Sequence, residues 1–109
     1  IGYGGLVHIS WEDKRGEISF LLDDKRACIL DLYKQEFSIF IKLILDISFN
    51  HLQFNRVYTE TFDIRDYHIS ILEQNGFIYE GKMREHVFIN EKFIDSVLHS
   101  CLKEEYYEL

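Results

Sequence analysis

Proline is absent from the 109 residues and glycine is scarce, six in all, with none between Gly16 and Gly76. With no proline, no low-complexity tract and no internal repeat, nothing marks a rigid linker, and residues 1–109 are expected to form one domain. Cysteine is limited to Cys28 and Cys101. Their spacing excludes a C-x-x-C or Cys/His zinc motif, and both are expected as small buried hydrophobes in a reducing compartment, with a disulfide left open. No run approaches roughly 18 consecutive apolar residues, which excludes a membrane-spanning helix. No charged, apolar and small-residue leader precedes the first strand, so a cytoplasmic location is expected. Positive charge is also short: 12 Lys and Arg stand against 19 Asp and Glu, a net charge of −7. That balance speaks against a nucleic-acid backbone or an anionic membrane surface as partner, because either needs a basic face.

What the chain does have is clear patterning. Tyr3–Ser10 and the run "EISFLL", Glu17–Leu22, are rich in β-formers, and the polar "EDKRG" between them reads as a hairpin loop. From about Leu30 to Gln53, the residues Leu32, Tyr33, Phe37, Phe40, Ile41, Ile44, Ile47 and Leu52 recur at three- and four-residue spacing. That spacing predicts one long helix with Lys34, Ser38, Lys42 and Asp46 on another face. "RVYTETF", Arg56–Phe62, alternates and is expected as a strand parallel to the one before the helix. In "DIRDYHISILEQNGF", Asp63 or Asp66 can cap a second helix, and Gly76 supplies the left-handed residue that ends it. Phe77 is expected to pack back on that helix. Two strand-like runs, "FIYEGKMREHVFIN" and "KFIDSVLHSCLKEEYY", close the chain, joined at "NEK", where Asn90 tolerates a positive φ. The order is β-β-α-β-α-β-β: an α/β (α+β) domain, with a mixed, mostly antiparallel sheet flanked by helices.

A helix ending in "LEQNGF", followed by "YEGKMREHVFINEKFIDSVLHSCLKEEY", resembles the C-terminal portion of a GNAT-family N-acetyltransferase. The matching positions are Gly76, Phe77, Glu80, Gly81, Arg84, Asp95 and Glu105, as in the ribosomal-protein N-terminal and bacterial amino-sugar N-acetyltransferases. The resemblance covers nearly the whole chain, while the family's first strand and first helices have no counterpart before Ile1. It implies that two neighbouring parallel strands splay apart and that acetyl-CoA lies in the opening. Its acetyl group would pass to a primary amine, a nucleotide-linked amino sugar or a protein N-terminus.

By the same resemblance, backbone groups of Phe20, Leu21 and Leu22 hold the pantetheine arm, and the start of the long helix receives the pyrophosphate. The family's glycine-rich phosphate loop is replaced by "DKRACILDLYKQEFS", so phosphate binding falls to Lys25, Arg26 and Lys34 or to amides at the helix start. The family's proton-donating tyrosine aligns with Leu72, which cannot donate, and Tyr67 is the nearest substitute. Glu17, on a strand facing the cleft, is the candidate general base, although a strand glutamate is more often simply solvated. His86 is a candidate base or substrate contact, set against a half-buried structural role. Arg84 either pairs across strands with Asp95 or meets an anionic part of the substrate. Arg65 disfavours the dipole of the helix it begins and so points to a nearby anion, a CoA phosphate, or to plain solvation. A module that binds a partner or forms a homodimer without catalysis is the alternative function.

Overall fold

The computed structural model describes residues 3–21, 30–63 and 65–108. Strands β1 (Tyr3–Ser10) and β2 (Arg15–Leu21) form the expected hairpin. Helix α1 (Leu30–Asp46) follows, then β3 (Arg56–Phe62), α2 (Asp66–Gln74), β4 (Ile78–Ile89), β5 (Lys92–Leu102) and a short α3 (Lys103–Tyr107). The sheet order is β1-β2-β3-β5-β4. Only β2 and β3 run parallel; the other neighbours are antiparallel.

The core lies on one face of this sheet. Tyr33, Phe37, Ile41, Ile44 and Leu45 of α1 are buried with Ile71 and Leu72 of α2 against Ile18, Val57 and Cys101 of the strands. Full burial of one such side chain stabilises by about 1.5–3 kcal/mol. Close approach is made possible at Gly4, where an added Cβ would lie 2.5 Å from the Ser19 carbonyl oxygen and 2.7 Å from the Phe40 ring.

Strands alternate their side chains, so residues between the core positions point away from the helices. On β3, Val57, Thr59 and Thr61 are buried, while Arg56, Tyr58, Glu60 and Phe62 are not. Glu17 sits beside Tyr58 in the parallel ladder, one residue from buried Ile18. This second face carries most of the sheet's polar groups.

Three local expectations change. The periodicity predicts one helix to Gln53, but the helix gives way at Ile47 to a π-helical turn, Ile47–His51, in which Ser48 donates to the Ile44 carbonyl at 2.7 Å. With no glycine available, Gln53 takes the left-handed φ of 59° that stops it. Neither Asp63 nor Asp66 caps α2: Arg65 occupies that position without a side-chain cap, and Asp63 instead pairs with Lys82 of β4 at 3.0 Å. The final strand ends at Leu102, where the Glu105 carboxylate accepts from the Leu102 N–H at 2.9 Å and starts α3. Other signals hold as read. Gly76 ends α2 at φ 94°, Phe77 is buried, and the β4–β5 turn places Asn90 and Glu91 at φ 52° and 62°.

Candidate functional site

The parallel ladder between β2 and β3 is short. Arg15, Gly16 and Glu17 pair with Arg56, Val57 and Tyr58, and there it stops. Beyond that point β2 stays hydrogen-bonded to β1 through Leu21, and β3 stays bonded to β5 through Phe62. Each strand is therefore held by its outer neighbour while the two inner edges, Ile18–Leu21 and Thr59–Phe62, part. Backbone N–H and C=O groups facing such a gap need other partners. The opening is the feature of the sheet suited to a long, amide-bearing ligand.

On the helix side of this opening, α1 and α2 meet in a polar cluster. The Tyr33 hydroxyl lies 2.5 Å from His68 Nδ1 and accepts from Arg65 Nη2 at 2.9 Å. His68 stacks on Phe37 with ring centroids 4.3 Å apart. Burial drives the His68 imidazole down to about 3, helped by the nearby positive charge of Arg65 and by His99, so the ring is neutral near pH 7. Burial raises the Tyr33 phenol, with the Arg65 charge and hydrogen bond opposing it. Tyr67 joins the same group, its ring 6.2 Å from that of Tyr33, and packs against the core. Arg65 itself is exposed, with one edge of its guanidinium committed to Tyr33.

The opposite face carries a different set. Glu17 Oε1 lies 2.8 Å from His8 Nδ1, at the last rung before the strands part. Further along, Glu60 Oε2 stands 3.8 Å from His86 Nε2. Arg56 grips Glu80 of β4 with both guanidinium nitrogens, which holds the Glu80 carboxyl below the usual range, while its guanidinium lies over the Tyr58 ring at 5.4 Å.

The predicted site residues divide accordingly. Arg65 and Tyr67 both stand beside Tyr33 on the helix side, and Glu17 stands at the last rung before the strands part. His86 lies on the far face beside Glu60, its side chain about half exposed at 47%. Phe20 and Leu21 lie on β2 beside the gap; Leu22, Lys25, Arg26 and Cys28 fall outside the described residues. Lys34 is exposed on α1.

The Arg84–Asp95 pair does not form. A bulge between Met83 and Val87 shifts the register, and Asp95 accepts instead from the Glu85 N–H at 2.6 Å and lies 3.8 Å from Lys82. Arg84 lines an open depression of about 690 Å³ with Glu85 and Asp95. The sequence places Tyr33 on a helix face and marks neither it, His68 nor His8 as a site residue. Tyr33 and His68 are 35 residues apart, and no local spacing signals their contact.

Among the described residues no group of three or more His, Cys, Asp and Glu could hold a metal, and no helix is long and apolar enough to cross a membrane.

The fold is similar to that of solved structures of the spermidine N-acetyltransferase SpeG from Vibrio cholerae. A chimera of it with hSSAT superposes at a TM-score of 0.87 with 23% identity, over 98% of this chain and 61% of that one. The dodecameric form in an intermediate state gives 0.83 with 23% identity over 93% and 56%, and the complex with manganese ions gives 0.84 with 22% identity over 94% and 58%. The chain thus spans less than two thirds of the length of these proteins. No curated protein matches its sequence significantly. The family model described as "Acetyltransferase (GNAT) domain" matches residues 1–98. Sheet order, parted strands and sequence match agree, and the chain belongs to the GNAT family of acetyltransferase domains.

Proposed function

We propose that the chain transfers an acetyl group from acetyl-CoA to a primary amine, with residues 1–109 acting as one domain. The observation that carries this reading is the parting of β2 and β3 after Glu17 and Tyr58 in a member of this family. The free inner edges of Ile18–Leu21 and Thr59–Phe62 suit the amides of the pantetheine arm, and Arg65 and Lys34 are the described cations suited to the phosphates. Bound there, acetyl-CoA supplies an acyl group activated as a thioester.

The chain's own groups do the remaining work. Glu17 Oε2 takes the proton from the acceptor's ammonium group, leaving the amine lone pair free to attack. The Tyr67 hydroxyl holds a proton for the departing sulfur from the helix side, where Leu72 has none to give. Glu17 and Glu60 make the acceptor face acidic, which suits a protonated amine. The structural relatives are named for spermidine, and the sequence resemblance implies an amino-sugar nucleotide or a protein N-terminus. The carboxylates favour the most cationic of these. The buried free thiol of Cys101, pushed up to about 11 chiefly by burial, fits a reducing cytoplasm.

Thiol release from acetyl-CoA, measured with spermidine, an amino-sugar nucleotide and an N-terminal peptide in turn, tests the reading. Saturable release with one acceptor is the expected result, and no release with any sinks it. A non-catalytic binding module is the second reading, favoured by Leu72, which is fully buried hydrocarbon where the family places a hydroxyl. Acetyl-CoA binding without thiol release would favour that module.

A further inference from the structure

A bulge in β1 brings together two side chains that their register does not pair. Val7, not His8, stands opposite Glu17 in the ladder. At His8 the backbone turns to φ 49°, the register slips between Val7 and Ser10, and the imidazole comes onto the carboxylate, Nδ1 to Oε1, at 2.8 Å. Glycine would take that φ without strain, whereas a strained side-chain-bearing residue is a pointer to function. Stability is a poor explanation for the contact, because an exposed pair of this kind contributes little to it. The two exposures differ in a useful way: the Glu17 side chain is 21% exposed and that of His8 is 75% exposed. One group faces the site and the other faces water.

We propose that His8 is the proton outlet of Glu17, a positioning residue that acts through the carboxylate and touches no reacting atom. The proposal rests on the acetyl-transfer reading. As the acceptor's ammonium N–H bond breaks, an O–H bond forms on Glu17. That proton crosses to His8 Nδ1 in the tautomer whose ring hydrogen sits on Nε2; the imidazolium so formed loses its Nε2 hydrogen to bulk water, and the exposed ring returns to the first tautomer by exchange with water. Glu17 is left as carboxylate for the next turnover, and no electron changes hands. The other charged and titratable neighbours leave the pair to itself. In the β1–β2 turn Asp13 is bound to Arg15 at 2.7 Å, with Glu12 and Lys14 beside them. On β3, Tyr58 is the register partner of Glu17, and Arg56 is held by Glu80 of β4.

The test compares His8→Ala, His8→Gln and Glu17→Gln with the wild type, using whichever acceptor the amine panel selects. His8→Ala is expected to lower kcat roughly tenfold or more, with KM for the amine within about twofold. Its melting temperature should stay within about 2 °C of the wild type. Added imidazole should restore most of the lost rate in His8→Ala and none in the double variant with Glu17→Gln. His8→Gln can keep the hydrogen bond through its amide N–H but cannot take up and release a proton, so it should stay slow. In the unliganded protein, the 15N signal of His8 Nδ1 should move on Glu17→Gln. Wild-type kcat in His8→Ala, full activity in His8→Gln, or an unmoved Nδ1 signal would each overturn the outlet alone. A wild-type chain that acetylates no amine overturns the reaction and the outlet with it.

Discussion

The two faces of the sheet are built on opposite terms. The face under the helices is dry: Phe37, Ile41, Phe49, Val57, Ile71 and Leu72 are almost wholly buried; of the polar groups among them, Tyr33 and His68 are bonded to each other and Tyr33 to Arg65, while His99 reaches Glu73 through Nε2 and leaves Nδ1 without a partner among the described residues. On the other face, Glu17, Arg56, Tyr58, Glu60 and His86 stand partly or fully exposed, with their partners at the surface. Burial therefore concentrates stability on the first face, while the proposed base Glu17 stands on the second and the proposed acid Tyr67 at the edge of the first. Substitutions should separate accordingly, the first face altering folding and the second altering rate.

The largest effect is expected on the covered face. Phe37→Ala empties a site that is 1% exposed and should cost about 3–5 kcal/mol in urea unfolding, close to the whole stability of a small domain. Next is a pH effect from His68. Its folded value near 3 lies below the unfolded value near 6.5, so between those limits the unfolded chain binds the extra proton. His68 therefore favours the folded state fully above pH 6.5 and progressively less as pH falls towards 3. His68→Gln should flatten that part of the stability profile relative to the wild type, by up to a few kcal/mol at the acid end.

On the open face, Glu17→Gln should leave urea unfolding nearly unchanged and lower kcat about 100-fold or more, read by thiol release. An unfolding shift as large as that of Phe37→Ala would erase the division between the faces. The smallest effect belongs to Arg56→Ala. Its pair with Glu80 is partly exposed, and its loss should cost less than about 1 kcal/mol, less still at high salt.

The two faces were also unequally legible in the sequence. The covered face follows from periodicity, since the spacing of Tyr33, Phe37, Ile41 and Ile44 and the alternation of "RVYTETF" are local signals that burial then obeys. Gly76 and Asn90 mark turns for equally local reasons of φ. The open face depends on register, which bulges alter. Reading straight alternation opposed Arg84 to Asp95 and left His8 unconnected to Glu17, because the slips between Met83 and Val87 and between Val7 and Ser10 leave no sequence signature. The contact between Tyr33 and His68 is not legible for another reason: periodicity places Tyr33 on a buried helix face, but the two side chains meet only when the helices pack, 35 residues apart in sequence.

The most direct test of the account is residue-level hydrogen exchange of the wild-type chain, with and without acetyl-CoA. Alternate amides within Ile18–Leu21 and Thr59–Phe62 face the gap between β2 and β3, so bound acetyl-CoA should slow exchange at those and leave the β4–β5 hairpin unchanged. Exchange at those edges that does not respond to saturating acetyl-CoA would contradict the assignment of the opening as the donor site.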